Sequence, residues 1–477
     1  MALLAAVRSL FQTPYRVATI DVARATPLAP LAPVDFSDQV QVSAVLDVAA
    51  RIGDILIAAG TTHTDATYQV KAILETFGLW DAHVDFTNSR IRIFARISGD
   101  YNEPINIIRV ISSPPNDYHR LRRVDALIRD IHARRVDVDT ADRILTEIIT
   151  APPTVGIWGI MASWAVLGGA VTVLIGGDIW VALTSMIAAF AVVWVATELS
   201  KKGMPLFLFN AIGGLIVSIL AALAYHAGAE LGLILRPSMV IATGIIALAA
   251  GLTLFQAIQN GISNSPVTGS ARFFDTMIAT GGIVAGVAMG IALSNYLGIP
   301  LPPMQTQPNP NFASMTLRIV AGAFAAAGFA RGCFADWSSV WVASIVSLFS
   351  TSIFYLTVMP LGLGGITSSA IAATFIGLIG GLLARGYGVP PLIVSASAAT
   401  PLLPGLAIYR GLYALTHEQI LTGFSNLTIA LAIAAALSAG VYLGEWIARR
   451  IKRPRGLRRY MRFKRMRARE TSYFTED

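Results

Sequence analysis

Residues 401–411 read "PLLPGLAIYRG" and begin inside an apolar stretch, 390–409, that contains no Asp, Glu or Lys. Proline lacks an amide proton and its ring clashes with the preceding helical turn. Pro401, Pro404 and Gly405 therefore predict a helix break here. A break frees N–H groups at one end and carbonyls at the other. Such groups cannot face lipid, so they line a cavity or are packed in protein. Freed amides suit a carboxylate and freed carbonyls suit an ammonium, the two ends of an amino acid. A second stretch repeats the pattern. "PSMVIATGIIALAAGLTLF" (237–255) aligns without gaps on "PLIVSASAATPLLPGLAIY" (391–409). Pro237 falls on Pro391, Val240 on Val394, Ala242 on Ala396, Leu248 on Leu402, Gly251 on Gly405, Leu252 on Leu406 and Phe255 on Tyr409. Gly251 is expected to mark the equivalent break.

Polar residues cluster near these breaks. Thr243, Ser395, Ser397 and Thr400 are hydroxyls on the two repeat stretches. In spanning helices they often bond the preceding turn; beside a break they are placed to read a substrate hydroxyl. Gln256, Gln259 and Asn260 ("FQAIQNG") are either a polar helix end or the lining of an inner vestibule. Asn210 in "LFLFNAIGG" is either an interhelical hydrogen bonder or a substrate contact. Arg410 and Arg318 either snorkel outward or hold a carboxylate near the exit. Ionisable groups inside a membrane are functional suspects, and here they are few. Asp275, with Arg272 as a local ion-pair partner, and Asp336 are the acids to consider for proton coupling; Asp178 reads as an outer turn and Glu445–Arg449 as an i,i+4 pair. His63 in "GTTHTD" reads as a surface histidine, although the cluster Thr61–Asp65 leaves a sensing or hydrolase-like role open.

The elements that carry these residues follow from composition. Of 477 residues, 55% are hydrophobic and 13% charged, against about 25% charged in a soluble domain. The deficit lies in 155–447, where apolar blocks of about 20 residues, the length of a bilayer core, alternate with short polar breaks. Ten spanning stretches are expected: 157–175, 179–197, 205–226, 238–258, 274–297, 315–332, 338–357, 362–384, 390–408 and 422–446. "GGDIW" (176–180) and "FADW" (334–337) each follow the first stretch of a half. Five stretches per half is odd, so the halves are expected to be inverted, as in secondary transporters. The tail "ARRIKRPRGLRRYMRFKRMRARE" is densely basic, and Lys201, Lys202, Arg272, Arg331 and Arg385 fall on the same side of the ten-span count. The positive-inside bias puts both termini in the cytoplasm.

The expected architecture is an α-helical polytopic membrane protein, two inverted five-helix repeats behind a small α+β head. Its divisions are an N-terminal segment and Pro-rich linker (1–36), a cytoplasmic α+β domain (37–152), the first repeat (155–300), the second (312–447) and a basic tail (448–477). The start, "MALLAAVRSLFQTPYR", has too short an apolar run for a signal peptide and reads as a retained interfacial helix. In the head, "QVSAVLDVAARIGDILIAAG" and "TDATYQVKAILETFG" read as helices, the second capped by Thr64; "AHVDFTN", "RIRIFARI" and "INIIRVIS" read as strands. The net charge of +8 is largely the tail's. It suits an anionic lipid face, and no nucleic-acid motif accompanies it. A single cysteine, Cys333, excludes a disulfide framework or a Cys-based metal site. H-E-x-x-H, G-x-S-x-G and Walker A patterns are all absent, so neither a cofactor nor ATP drive is indicated.

"ARIGDILIAAGTTHTD", "GLTLFQAIQNGISNSPVTGSARFFDTMIATGGIVAG", "PPLIVSASAATPLLPGLAIYRGLYAL" and "GEWIARR" resemble the bacterial threonine/serine exporter family, in its long single-chain actinobacterial form. The resemblance covers roughly 20–450. It implies an inner-membrane exporter of L-threonine and L-serine driven by the proton motive force, with about ten spans and a cytoplasmic N-terminal domain. Relatives in the same superfamily split the chain near the middle, and some are associated with dicarboxylates. Export of succinate-like dicarboxylates, or a membrane-anchored sensor or enzyme with a soluble head, are the alternatives. Oligomeric state is left open. The resemblance brings no catalytic motif, so the candidate substrate residues (Asn210, Thr243, Gly251, Gln256, Thr400, Pro401, Pro404, Gly405, Arg410) rest on the residues alone.

Overall fold

The computed structural model describes residues 39–451 apart from 88–89, 97–103, 113–114, 234, 249, 303–314 and 417. The expected interfacial helix, the Pro-rich linker and the basic tail lie outside the described residues.

Contacts divide the chain into two units, one built around the segment ending at Pro152, the other made of Pro153–Gly380 and Leu392–Glu445. In the first, helices α1 (Gln39–Ala58) and α2 (His63–Thr76) precede strands β1 (His83–Thr87), β2 (Arg90–Arg96) and β3 (Pro104–Val110), then α3 (Tyr118–His132) and α4 (Val138–Thr150). The sheet is antiparallel in the order β1-β2-β3, with Val84 opposite Ile93 and Ile93 opposite Ile107. Period-two alternation buries Ile91, Ile93 and Ala95 of β2 while Phe94 stays exposed. Val45, Leu46, Ile52 and Leu56 of α1 and Ile73 and Leu74 of α2 complete the core.

Two expectations for this unit change. Gly60 takes a left-handed φ of 97° and ends α1, so α2 starts earlier than expected. Thr62, not Thr64, is its N-cap, its hydroxyl accepting from the Asp65 amide at 3.3 Å. His63 is buried, its ring 5.9 Å from Phe86, and is not a surface residue. Asp54 is also buried. It accepts from the backbone N–H of Ser112 at 3.2 Å and faces Arg109 at 3.7 Å. Arg51 bridges Asp142 of α4, and Arg109 bridges Asp47. These pairs fasten α1 to β3 and α4.

From Pro153 onward the described chain is helical. Its elements are α5 (Ile157–Leu174), α6 (Ile179–Lys201), α7 (Leu206–Glu230), α8 (Pro237–Ala247), α9 (Ala250–Ile262) and α10 (Pro266–Tyr296), then α11 (Met315–Gly332), α12 (Trp337–Ser352), α13 (Gly364–Tyr387), α14 (Pro391–Ala399), α15 (Gly405–Thr416) and α16 (Ile420–Ile451). A π-helical turn, Ile353–Val358, and a 3₁₀ turn, Met359–Leu361, prolong α12. Among the described residues seven helices are long and apolar enough to cross a membrane, or eight if the bent pair Pro391–Leu402 and Gly405–Leu415 is one span. The stretches at 237–262 and 315–332 fall outside that count: the first is two short helices, and Arg318 and Arg331 dilute the second. Large apolar side chains stay exposed along these helices, among them Trp194, Phe274, Met289, Phe349 and Leu443. So much outward apolar surface suits lipid, not water.

The order of elements recurs. α5 and α11 are both 18 residues long, and α10 and α16 are 31 and 32. Asp178 and Asp336 hold the N-cap positions of α6 and α12. Close packing recurs as well. Gly286 of α10 lies so near the Ala211 carbonyl of α7 that a Cβ would overlap it, and a Cβ on Gly440 of α16 would stand 2.5 Å from the Ala370 carbonyl of α13. Gly290 against Leu215 and Gly444 against Thr374 repeat this one turn on. Small residues let backbones approach where the hydrophobic effect gives no help between helices.

Candidate functional site

The two interrupted helices share a design, but only one has a proline at its break. Each begins with proline at its first turn, Pro237 in α8 and Pro391 in α14, where a missing amide costs nothing. α14 passes into a 3₁₀ turn, Thr400–Leu402, and Leu403 is extended at φ −63°, ψ 141°. The residue before a proline is driven out of the α region, and Pro404 does this to Leu403. The chain restarts as α15 at Gly405, and the two axes differ by 49°. α8 ends at Ala247 and α9 starts at Ala250 with no proline between them. Packing marks this break: the Leu248 side chain lies on Gly213 of α7, where a Cβ would be 2.8 Å from its Cδ2.

The breaks meet. A Cβ on Gly251 would stand 3.4 Å from the Leu403 Cβ, an ordinary contact. A Cβ on Gly405 would overlap the Ile246 Cγ1. The N-terminus of α15 thus sits on the C-terminus of α8, and the N-terminus of α9 sits on the turn between α14 and α15. The first amides of α9 and α15 (Gly251, Leu252, Leu406, Ala407) have no preceding turn of their own helix to bond. The Ile408 amide already bonds the Pro404 carbonyl at 3.0 Å, and that of Gly405 bonds the Leu403 carbonyl at 2.9 Å. The C-terminus of α8 and the N-termini of α9 and α15 therefore lie close together.

The helices that flank this junction carry hydroxyls. Thr243 is buried and its Oγ1 lies 2.9 Å from Thr172 Oγ1 of α5. Thr400 donates to the Ala396 carbonyl at 3.1 Å, and Ser395 to that of Leu392 at 3.3 Å. Ser397 is fully buried and its hydroxyl has no partner among the described residues.

Nearly two turns into α9, Gln256 is 7% exposed, and its Oε1 accepts from Arg272 Nη1 of α10 at 3.3 Å. Its Nε2 has no partner among the described residues. Arg272 thus has a hydrogen-bond partner besides the expected Asp275, which is exposed on α10. Asn260 is buried and donates to the Gln256 carbonyl at 2.8 Å, and Gln259 is buried beside it in sequence. Arg410 of α15 is half-buried, and its Nε also has no partner among the described residues. Asn210 of α7 is buried near Gly282 of α10; its Nδ2 bonds the Leu206 carbonyl at 2.9 Å. Asp336 is half-buried at the start of α12. The Arg318 guanidinium lies 5.8 Å from the Tyr355 ring on the π-helical turn.

Of the residues singled out in the sequence, Gly251, Pro404 and Gly405 converge with their flanking turns. Ile246, Leu403 and Thr172 were not singled out. They are ordinary apolar or hydroxyl residues, and only the gapless alignment, which sets Ile246 on Thr400 and Ala249 on Leu403, pointed near two of them.

Two family models match the chain, described as "Putative threonine/serine exporter" over residues 47–294 and "Threonine/Serine exporter, ThrE" over 318–447. Their boundary falls between α10 and α11. A "Threonine/serine exporter" of Corynebacterium glutamicum is 46% identical over 449 residues, 94% of this chain and 91% of that protein. A "Probable threonine/serine exporter" of Mycobacterium tuberculosis is 27% identical over 88% of this chain and 82% of its own length. No solved structure matches.

Proposed function

The chain belongs to the threonine/serine exporter family, and on that premise we propose that it is a secondary exporter of L-threonine and L-serine across the inner membrane, driven by the proton motive force. The observation that carries this reading is the crossing of the two helix breaks, Gly251 on Leu403 and Gly405 on Ile246. Broken helices at matching positions of two repeats are where secondary transporters bind substrate. The carboxylate is held by the first amides of α9 and α15, the ammonium by the last carbonyls of α8 and α14. The substrate hydroxyl is read by Thr243, Thr400 and Ser397, since a site built to bond a hydroxyl rejects analogues that lack one. Inversion of the two halves, ten spans and cytoplasmic termini complete the reading. It is supported by the recurring helix lengths and glycine contacts and by the loop charges. Of the two acids, Asp336, half-buried at a helix start, is better placed to carry a proton than the exposed Asp275.

Purified protein in proteoliposomes tests this. Labelled threonine and serine should exchange in counterflow while succinate does not, and uphill threonine movement should collapse with a protonophore. Succinate exchange without threonine exchange would reassign the substrate to dicarboxylates. Uphill movement that survives the protonophore and follows ATP would refute secondary transport.

A further inference from the structure

Resting on that reading, we infer that positions 256 and 410 form two matching carboxylate posts, one on each side of the crossed breaks, between which the substrate is handed during export. The gapless register that sets Gly251 on Gly405 continues through the following helices. It sets Pro266 on Ile420, the first residues of α10 and α16. It sets Gly286 on Gly440 and Gly290 on Gly444, each of which approaches a backbone carbonyl of an earlier helix, Ala211 and Leu215 of α7 in one half and Ala370 and Thr374 of α13 in the other. On α10 and α16 the packing glycines therefore keep this register.

In this register Gln256 falls on Arg410 and Arg272 falls on Asn426. Each pair of positions holds one arginine and one carboxamide, exchanged between the two helices. Gln256 and Arg410 also share a second property. Gln256 Nε2 and Arg410 Nε are both buried N–H donors without an acceptor among the described residues. A buried donor left unpaired is costly, and the large majority of such groups are satisfied. Two orphans at equivalent positions, each with a guanidinium in the same pair, call for an anionic acceptor. The one carboxylate of an amino acid, visiting each in turn, meets that need; bonds to it from a guanidinium are charge-assisted. Gln256 and Arg410 lie five positions beyond Gly251 and Gly405, about 7 Å along the axis. The halves being inverted, Gln256 with Arg272 faces the cytoplasm and Arg410 faces outward. The break itself holds the substrate at mid-passage.

The test is sided transport. Threonine uptake is measured in inverted and right-side-out membrane vesicles from cells expressing wild type, Arg272→Gln, Arg410→Gln and Arg410→Lys. Arg272→Gln should raise KM about ten- to a hundredfold from the cytoplasmic face, the loss of one charge-assisted hydrogen bond, and leave the outer face within a few-fold. Arg410→Gln should do the reverse, and Arg410→Lys should recover part of the loss. Competition by threoninol, which lacks the carboxylate, should be unchanged in every variant. Equal effects on both faces, no effect on either, or parallel loss of threoninol competition would overturn the inference while leaving the exporter reading intact. Absence of threonine movement by the wild type would instead remove the exporter reading.

Discussion

Replacing Gly405 by alanine tests the crossing at its tightest point. The added methyl would overlap Ile246 Cγ1 and stand 2.5 Å from its Cδ1, while the Ile246 Cβ is 3.6 Å away. Ile246 is 9% exposed and β-branched, so its χ1 has little freedom to swing aside. Alanine gains up to about 1 kcal/mol of helix propensity over glycine, but overpacking costs about 1–3 kcal/mol. The net effect is loss of stability and a shift of α15 away from α8. Export should fall by more than about tenfold, because misplacing a site by 1 Å can cost a hundredfold. Ile246→Ala alone leaves a void costing about 2–5 kcal/mol. In the double variant the alanine at 405 fills part of that void, and only the 3.6 Å contact remains. The two changes should therefore be coupled by about 1–3 kcal/mol, the double variant being more stable than additivity allows. Gly251→Ala meets only an ordinary 3.4 Å contact and should be near neutral in stability. Stability would be read by denaturant titration of the purified protein, and export by threonine efflux from loaded vesicles. A Gly405→Ala protein as stable and active as wild type, or an Ile246→Ala change that gives no relief, would show that the breaks do not bear on one another.

Two further outcomes are expected. Burial holds the His132 imidazole down from 6.5 to about 4, with Thr76 Oγ1 3.1 Å from its Nδ1. The folded head favours the neutral ring, so this stability is fully present above pH 6.5 and is lost as pH falls toward 4. The loss is about 3 kcal/mol, seen as faster hydrogen exchange in α2 and α3 of the full-length protein; His132→Gln should flatten it, and an unchanged acid dependence in that variant would refute the assignment. With the buried Cys333 changed to alanine, a cysteine at Asn309 should react with an impermeant thiol reagent on whole cells and one at Ser265 should not; the reverse pattern rejects the proposed orientation.

Much of the helical unit was legible because lipid imposes a length and a composition. The stretches from 157 and 179 begin where α5 and α6 begin. The break at Pro401–Gly405 was legible because proline acts locally. The break beside Gly251 was visible only through its alignment with the other, since no proline lies between Ala247 and Ala250. Contacts between distant segments leave no local mark, so the Gly405–Ile246 and Thr172–Thr243 pairs were out of reach. The burial of His63 was hidden for the same reason: its partner Phe86 lies on β1, beyond α2. The polar string around it resembles a surface loop.

The interlock of Gly405 with Ile246 and Gly251 with Leu403 also governs biogenesis. When α10 leaves the ribosome, the first half carries a discontinuity whose cover is still unsynthesised. Exposed to lipid, its free backbone groups would be unsatisfied. The first half is thus complete only once α14 and α15 cover that seam, whether they follow on the same chain or come from a separately made half.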